Sequence, residues 1–160
     1  MKVLVVCHGN INRSVLCAAV LRHERPDWEV REAALKGWDN PGFRAERAAK
    51  KMRHQAMRAY GIDLEEHRSR SITIADLEWA DRVIYMDGGN LRRLHRIRDA
   101  WHGIDSSRWL SLGSFDEPSR ERIPDPNFLK AGSDEFIDVV DLVMRCSIFC
   151  AKKMIAPARP

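Results

Sequence analysis

Lys2-Val-Leu-Val-Val6 is followed directly by Cys7-His-Gly-Asn-Ile-Asn-Arg13-Ser14 at the start of the chain. The first segment is a run of Val and Leu, which is typical of a strand covered on both faces in a parallel sheet. A helical pattern begins at Ser14, so the polar loop of residues 7–13 connects a buried strand to a helix. A strand followed by a loop and a helix is the repeating unit of α/β folds.

The same alternation continues along the chain. Further strands are predicted at residues 28–33, 82–86 and 108–112. Helices are predicted at residues 14–22, 44–60 (with Gly61 as the stop) and 90–100, and after Ser133 as N-cap. We therefore expect an α/β, Rossmann-like fold in one domain over residues 1–160, with a four-stranded, mostly parallel sheet and helices on both faces. Ligands bind such sheets beyond the carboxyl ends of the strands.

The composition is that of a globular chain with a modest excess of positive charge. The 160 residues include 27 Lys plus Arg against 23 Asp plus Glu, for a net charge of +4, and 44% of the chain is hydrophobic. This composition disfavours intrinsic disorder, and the positive charge is compatible with phosphate esters, nucleic acid or an acidic membrane surface as partners. No apolar run approaches the roughly 20 residues that cross a bilayer, and the run at 3–6 is too short for a signal peptide. We therefore expect a cytoplasmic protein with no membrane partner.

The four cysteines are Cys7, Cys17, Cys146 and Cys150. They are few for a disulfide scaffold, so reduced thiols are expected. Cys146 and Cys150 lie four residues apart, but no nearby His or further Cys completes a zinc site. We expect no metal and no cofactor.

The loop Cys7-x5-Arg13 has the pattern of an anion cradle. Seven residues wound around one point can aim their backbone N–H groups inward, and the helix that follows adds the positive end of its dipole. Gly9 permits close approach, and Asn10 tolerates a positive φ. Cys7 then lies at the floor of the cradle, where these groups favour the nucleophilic thiolate, and the planar fork of Arg13 can bind two phosphoryl oxygens. Taken alone, C-x5-R also fits a buried Cys and an ordinary helical Arg.

A thiolate that attacks phosphorus needs an acid to protonate the leaving oxygen. The segment Arg122-Ile-Pro-Asp-Pro-Asn-Phe128 is the best source of one, because Pro124 and Pro126 stiffen the loop around Asp125. A Pro-rich turn with a solvated Asp is the alternative interpretation of the same segment.

These motifs together resemble the low-molecular-weight protein tyrosine phosphatase family, whose relatives include thioredoxin-linked arsenate reductases. The resemblance extends to His67-Arg-Ser-Arg-Ser-Ile-Thr73, to Trp79-Ala-Asp-Arg-Val-Ile-Tyr-Met-Asp87 and to Asn90-Leu91, which occur in the family's order. It spans residues 2 to about 150 and implies the phosphotyrosine protein phosphatase I fold.

The resemblance implies a role for each matched residue. Cys7 would form a phosphocysteine, Arg13 would bind the phosphoryl group, and Asp125 would be the general acid and then the base. Ser14 would hydrogen-bond the Cys7 sulfur, and Asn10, braced by His67, would hold the loop in its strained shape. The loop residues His8, Gly9, Asn10, Ile11, Asn12 and Ser14 would bind substrate, with Trp38 and Phe128 as aromatic neighbours. Ile11 favours phosphotyrosine, since related arginine phosphatases tend to have Thr there.

The chain departs from the family in three places. Asn12 replaces a Cys that can form a reversible disulfide with the nucleophile, and Asn127 and Phe128 stand where many members have two tyrosines. The predicted helix at 44–60 is longer than expected and carries a basic face that could recruit an anionic partner or simply be solvated. That face comprises Arg44, Arg47, Lys50, Lys51, Arg53, His54 and Arg58.

The leading hypothesis is metal-independent hydrolysis of phosphomonoesters, with a tyrosine-phosphorylated protein or peptide as substrate and phosphate as product. Arsenate reduction is the first alternative, but it needs two further mid-chain cysteines, and none lies between Cys17 and Cys146. The second alternative is a non-catalytic module that binds phosphate or nucleic acid through the basic helices. The set of Cys7, Arg13 and Asp125, and the lack of interleaved aromatics at 44–60, argue against nucleic acid.

Overall fold

β1 (Lys2–Cys7) lies in the middle of a four-stranded parallel sheet. In this computed structural model, which describes residues 1–154, the other strands are β2 (Glu29–Ala34), β3 (Arg82–Tyr85) and β4 (Trp109–Ser111), and the strand order is β2-β1-β3-β4. The predicted sheet is confirmed. Residues 155–160 of the expected domain lie outside the described residues.

Helices cover both faces of the sheet, as predicted. They are α1 (Arg13–Glu24), α2 (Lys50–Tyr60), α3 (Ile74–Trp79), α4 (Gly88–Ala100) and α5 (Asp134–Lys153). Val3 and Val5 of β1 pack in the cluster that includes α1 and α5, whereas Leu4 and Val6 pack in the cluster that includes α3 and α4. Because neighbouring side chains of a strand point to opposite faces, one short Val/Leu run contributes to both cores.

Local signals account for several helix ends. Ser133 Oγ accepts a hydrogen bond from Phe136 N at 3.3 Å, so Ser133 is the N-cap of α5 as predicted. Gly61 ends α2 with φ +67°, a conformation that glycine adopts without strain. The short helix α3 was not predicted, although Thr73 and Asp76 form a capping box at its start. No helix within residues 1–154 is long and apolar enough to span a membrane.

The predicted helix at 44–60 is wrong over its first six residues, because α2 begins at Lys50. Backbone groups of residues 46–49 bond to other parts of the chain instead. Ser69 N donates to Glu46 O, and Ala49 N donates to Ile11 O, both at 2.8 Å. Residue 47 also forms an antiparallel bridge with residue 68. These nonlocal hydrogen bonds override the helical propensity of the Ala-rich sequence.

Three of the seven side chains of the basic face expected on that helix make internal contacts. Arg47 and Arg53 both donate to Glu65, and the Lys51 ammonium contacts backbone carbonyls of a neighbouring loop. Part of the positive charge that suggested an anionic partner is therefore engaged within the molecule.

Asp116 lies in the segment between β4 and α5 and accepts hydrogen bonds from two arginines, Arg120 of the same segment and Arg145 of α5. Arg145 Nε donates to it at 2.9 Å and Arg120 Nε at 2.5 Å. The hydrogen bond from Arg145 holds the pKa of Asp116 well below its ordinary value, burial opposes this shift, and Arg120 adds to it. Since the folded-state pKa is depressed, the stabilisation is fully present above the ordinary Asp pKa of about 3.9 and is lost progressively as the pH falls from there through the lower folded-state pKa.

Asp116→Asn should therefore lower the free energy of unfolding by about 1–2 kcal/mol at pH 7. Urea unfolding of both proteins between pH 7 and pH 3 measures this difference. The difference in the free energy of unfolding between the two proteins should begin to shrink as the pH falls below about 4. A difference that stays constant down to pH 3 would contradict the role of the ionised carboxylate.

Candidate active site

The loop at the carboxyl end of β1 encloses the sulfur of Cys7. Cys7 is only 3% exposed. Asn10 N donates to Cys7 Sγ at 3.2 Å, and Ser14 Oγ lies 3.0 Å from the same sulfur. α1 begins at Arg13, so its N-terminal end adjoins the loop. The sulfur thus lies beside hydrogen-bond donors and near the positive end of a helix dipole, which favour a negative charge there.

Asn10 has the left-handed conformation anticipated for it, with φ +53°. Its side chain donates to Ser14 Oγ at 3.1 Å and accepts from Arg70 N at 3.2 Å. Its carbonyl oxygen lies 2.8 Å from Nε2 of His67. These contacts hold a backbone geometry that non-glycine residues otherwise adopt at a cost.

His67 is held in turn by Glu32 of β2, whose carboxylate lies 3.4 Å from Nδ1. Burial by itself raises the pKa of Glu32, but hydrogen bonding to His67 and the charge of Arg22 outweigh burial and leave the pKa lowered. A chain of contacts therefore runs from β2 through His67 to the backbone of the loop.

The contribution of the Asn10 conformation is testable with two substitutions that both remove the side-chain hydrogen bonds. Asn10→Ala keeps a Cβ at positive φ, whereas Asn10→Gly removes it. We expect the Ala variant to be less stable than the Gly variant by about 1 kcal/mol in chemical unfolding. Equal stabilities, or a more stable Ala variant, would show that the left-handed geometry is not enforced.

Arg13 is buried at 2% exposure and is held on three sides. Its Nη1 donates to Asp87 Oδ2 at 2.5 Å and to Ile123 O at 2.9 Å, and its Nη2 donates to Asp125 Oδ2 at 2.8 Å. The structure therefore brings Asp125 to the loop from more than a hundred residues away, as the sequence predicted.

Asp87 is a site residue to which the sequence analysis gave no role. It ends the matched motif that begins at Trp79 and follows β3, the neighbour of β1 in the sheet. Burial raises the pKa of Asp87, but the hydrogen bond and charge of Arg13 and the backbone hydrogen bonds from Asn90 and Gly89 together outweigh burial, so the pKa is lowered and the carboxylate stays ionised. Its position at the carboxyl end of a central parallel strand is the signal that could have found it.

A cavity of about 310 Å³ opens above the loop, and its lining contains most of the predicted site. The predicted residues that line it are Cys7, His8, Gly9, Ile11, Asn12, Arg13 and Asp125. Asn10 and Ser14 are buried and contact the sulfur or each other without being part of that lining. One polar atom in the wall, Asn12 Oδ1, has no hydrogen-bond partner within residues 1–154.

The two expected aromatic neighbours are not part of the cavity lining. Trp38 is half-buried and packs against the core on the α3 and α4 face of the sheet. Phe128 is 90% exposed, because it is on the outer side of the short 3-10 turn Pro126–Phe128.

Three further residues line the cavity and were not predicted as site residues from the sequence: Lys36, Glu46 and Asn127. Lys36 Nζ donates to Glu46 Oε1 at 2.5 Å. The pKa of His8 at the mouth is lowered, first by burial and then by the charges of Arg93 and Lys36, with Asp125 opposing the shift. Lys36 follows the carboxyl end of β2, and this position could have predicted that it lies at the site. Glu46 is brought to the cavity by the nonlocal contacts of residues 46–49, which the local sequence does not indicate.

The remaining cysteines lie away from the cavity lining. Cys17 is in α1, and Cys146 and Cys150 are in α5; all three are buried. Burial raises the pKa of Cys17 to about 12 and that of Cys146 to about 11, and it also raises the pKa of Cys150. Such thiols are inert as nucleophiles. Within residues 1–154 no group of three or more His, Cys, Asp and Glu side chains is placed to hold a metal ion.

Comparison with known proteins agrees with this geometry. Residues 2–154 match the family model for low molecular weight phosphotyrosine protein phosphatase. The protein of that name from Homo sapiens is 32% identical over 154 residues, which cover 90% of this chain and 89% of the human protein. The probable low molecular weight protein-tyrosine-phosphatase EpsP of Ralstonia solanacearum is 34% identical over 126 residues, 76% of this chain and 80% of EpsP.

A solved structure shows the same fold. Wzb of Vibrio vulnificus, determined in complex with benzylphosphonate, aligns with a TM-score of 0.80 at 25% identity, over 96% of this chain and 98% of Wzb. The chain therefore belongs to the low molecular weight phosphotyrosine protein phosphatase family, which confirms the resemblance stated from its motifs.

Proposed function

We propose that this protein hydrolyses phosphotyrosine in proteins or peptides through a cysteinyl-phosphate intermediate on Cys7. One observation carries the proposal: Cys7, Arg13 and Asp125 come together at one cavity of about 310 Å³ at the end of β1. Family membership and the names of the relatives support the same reaction class.

The first step transfers the phosphoryl group to sulfur. The Cys7 thiolate attacks phosphorus, an S–P bond forms, and the bond from phosphorus to the phenolic oxygen breaks. Asp125, protonated for this step, gives its proton to the departing oxygen so that a neutral tyrosine leaves. The contact of 2.8 Å between Arg13 Nη2 and Asp125 Oδ2 supports this role, because it places the carboxyl group beside the residue proposed to bind the phosphoryl group.

The second step releases phosphate. Asp125, now ionised, takes a proton from water as the water oxygen attacks phosphorus. The S–P bond breaks, the electron pair returns to Cys7 as the thiolate, and inorganic phosphate is formed. The contact of 3.0 Å between Ser14 Oγ and Cys7 Sγ supports a role for Ser14 in stabilising that thiolate as the leaving group.

Arg13 can bind the phosphoryl oxygens without giving up its protein contacts. A guanidinium carries five N–H donors, and the contacts to Asp87, Ile123 and Asp125 use three of them. The remaining donors and the loop amides suit a group whose charge is spread over several oxygens in the transition state. Because Asp87 and Ile123 fix the guanidinium in advance, little reorganisation is needed when substrate binds.

An aryl phosphate suits the site best. Ile11 presents an apolar side chain at the cavity, and the Wzb structure similar to this one was determined with benzylphosphonate, an anion attached to a benzyl ring. Phosphotyrosine combines a phosphate with such a ring. The inert thiols of Cys17, Cys146 and Cys150 argue against arsenate reduction, which would require reactive cysteines.

A substrate panel tests the proposal. Peptides of one sequence that contain phosphotyrosine, phosphoserine or phosphoarginine are incubated with the protein in a chelating buffer, and released phosphate is measured. We expect the phosphotyrosine peptide to be preferred by at least about 100-fold in kcat/KM, which corresponds to roughly 2.7 kcal/mol. Preference for phosphoarginine would assign a different substrate class, and no phosphate release from any peptide would overturn the proposal.

A further inference from the structure

The side chain of Lys51 contacts three backbone carbonyls of the loop that contains Asp125. Its ammonium donates to Pro126 O at 2.6 Å, to Leu129 O at 2.7 Å and to Asn127 O at 2.9 Å. An ammonium has three N–H donors, so every donor of Lys51 has an acceptor in this one loop. We call residues 125–129 the acid loop.

Lys51 connects the acid loop to two helices. Its backbone lies in the first turn of α2, and its Nζ lies 5.3 Å from the ring centroid of Phe136 in α5, within the range of a cation–π contact. Its neighbour Lys50 is exposed, and the Lys50 ammonium has no hydrogen bond or ion pair to the rest of residues 1–154. Adjacent lysines of one helix therefore have different surroundings.

The acid loop is also held by the Arg13 hydrogen bond to Asp125 Oδ2, by a hydrogen bond from Leu129 N to Pro126 O, and by packing of Leu129 against the core. Beyond the short 3-10 turn Pro126–Phe128 it has no regular structure, and three carbonyl oxygens directed at one point repel each other unless a cation lies between them. The same turn holds the proposed acid, because Asn127 N donates to Asp125 Oδ1 at 3.0 Å. A change in this turn would therefore move the Asp125 carboxyl relative to Cys7.

We propose that Lys51 is a positioning residue for Asp125, acting through the carbonyls of the acid loop. This inference rests on the proposed function, because it assigns to Lys51 the placement of the proton donor. Lys51 touches neither substrate nor the reacting atoms. It fixes the turn so that the carboxyl of Asp125 can reach the oxygen that leaves phosphorus, and a small displacement of such a group costs much of its catalytic effect.

Two substrates with different leaving groups distinguish this role from general stabilisation. Phenyl phosphate releases a basic phenolate that needs a proton, whereas p-nitrophenyl phosphate releases a stable anion that needs it less. We expect Lys51→Met to lower the ratio of kcat/KM for phenyl phosphate to kcat/KM for p-nitrophenyl phosphate by about tenfold, a part of the roughly 10²-fold or larger effect of general acids. The ratio does not depend on how much of the protein is folded.

Lys50→Met is the matched control, and it should keep the wild-type ratio within about twofold, as expected for a surface substitution. Asp125→Asn provides the second arm of a double-mutant cycle. In that background Lys51→Met should leave the ratio unchanged, because the proton donor that Lys51 positions is already absent. Lys51→Arg, which keeps the charge but cannot place three donors at one point, should lower the ratio as Lys51→Met does.

The outcomes separate the two proposals. If wild type and Cys7→Ser hydrolyse both substrates equally poorly, the proposed function is overturned. If hydrolysis depends on Cys7 but Lys51→Met keeps the wild-type ratio, or lowers both rates equally, Lys51 does not position the acid. A ratio that falls equally with and without the Asp125 carboxylate would also overturn the inference.

Discussion

Cys7→Ser is expected to lower kcat/KM for p-nitrophenyl phosphate by a factor on the order of 10⁵ or more. A serine hydroxyl ionises far less readily than a thiol, and the groups beside Cys7 Sγ are Asn10 N and Ser14 Oγ, neither of which is a general base. The variant therefore retains the anion cradle without a nucleophile. Initial rates in chelating buffer measure the loss.

The control for this substitution is the integrity of the site. Cys7→Ser should unfold within about 1 kcal/mol of wild type, since the change is nearly isosteric. It should also still bind inorganic phosphate by calorimetry. Retention of more than about one per cent of wild-type activity would place the nucleophile elsewhere, because catalysis by the cradle alone cannot account for it.

Arg13→Lys is expected to produce the second largest loss, about 10³-fold in kcat/KM, comparable to the loss of arginines that stabilise phosphoryl transfer in other enzymes. Lysine keeps the positive charge, but its N–H donors are all on one nitrogen and not spread over a planar guanidinium. It therefore cannot bind two phosphoryl oxygens while also contacting Asp87 and Asp125. Steady-state rates with p-nitrophenyl phosphate give the loss, and inhibition by inorganic phosphate gives the accompanying loss of anion affinity.

Arg25→Lys is a matched control, because Arg25 follows the same helix but pairs with the exposed Asp27 away from the cavity. That variant should keep its activity within about twofold. Loss of less than tenfold in Arg13→Lys would mean that charge alone is sufficient and that the fork geometry of Arg13 does not contribute.

The parts of this structure that depend on local sequence were predictable. The Val/Leu run of β1, the Ser133 cap and the Gly61 stop each act within a few residues. The loop around Cys7 was predictable for the same reason, since its strand, its spacing and the start of its helix are contiguous.

The parts that depend on nonlocal contacts were not predictable from local patterns. Residues 46–49 leave the helical conformation because their backbone bonds to residue 69 and to Ile11, and nothing in the Ala-rich sequence signals those partners. Lys51 was interpreted as one cation of a basic face, whereas the fold places three carbonyls of the acid loop around its ammonium. Asp125 was found only because two prolines and a family motif mark its loop.

The measurement that tests the central claim most directly is the mass of the enzyme during turnover. Wild type and Asp125→Asn are mixed with p-nitrophenyl phosphate, quenched in denaturant within milliseconds, and digested for mass mapping, with Cys7→Ala as control. We predict the added mass of one phosphoryl group on the peptide that contains Cys7, and no added mass in Cys7→Ala. Asp125→Asn should carry more of the phosphorylated peptide than wild type, because loss of the proposed base slows hydrolysis of the intermediate. Rapid turnover without any phosphoryl group on Cys7, or with the added mass on another residue, would contradict the account.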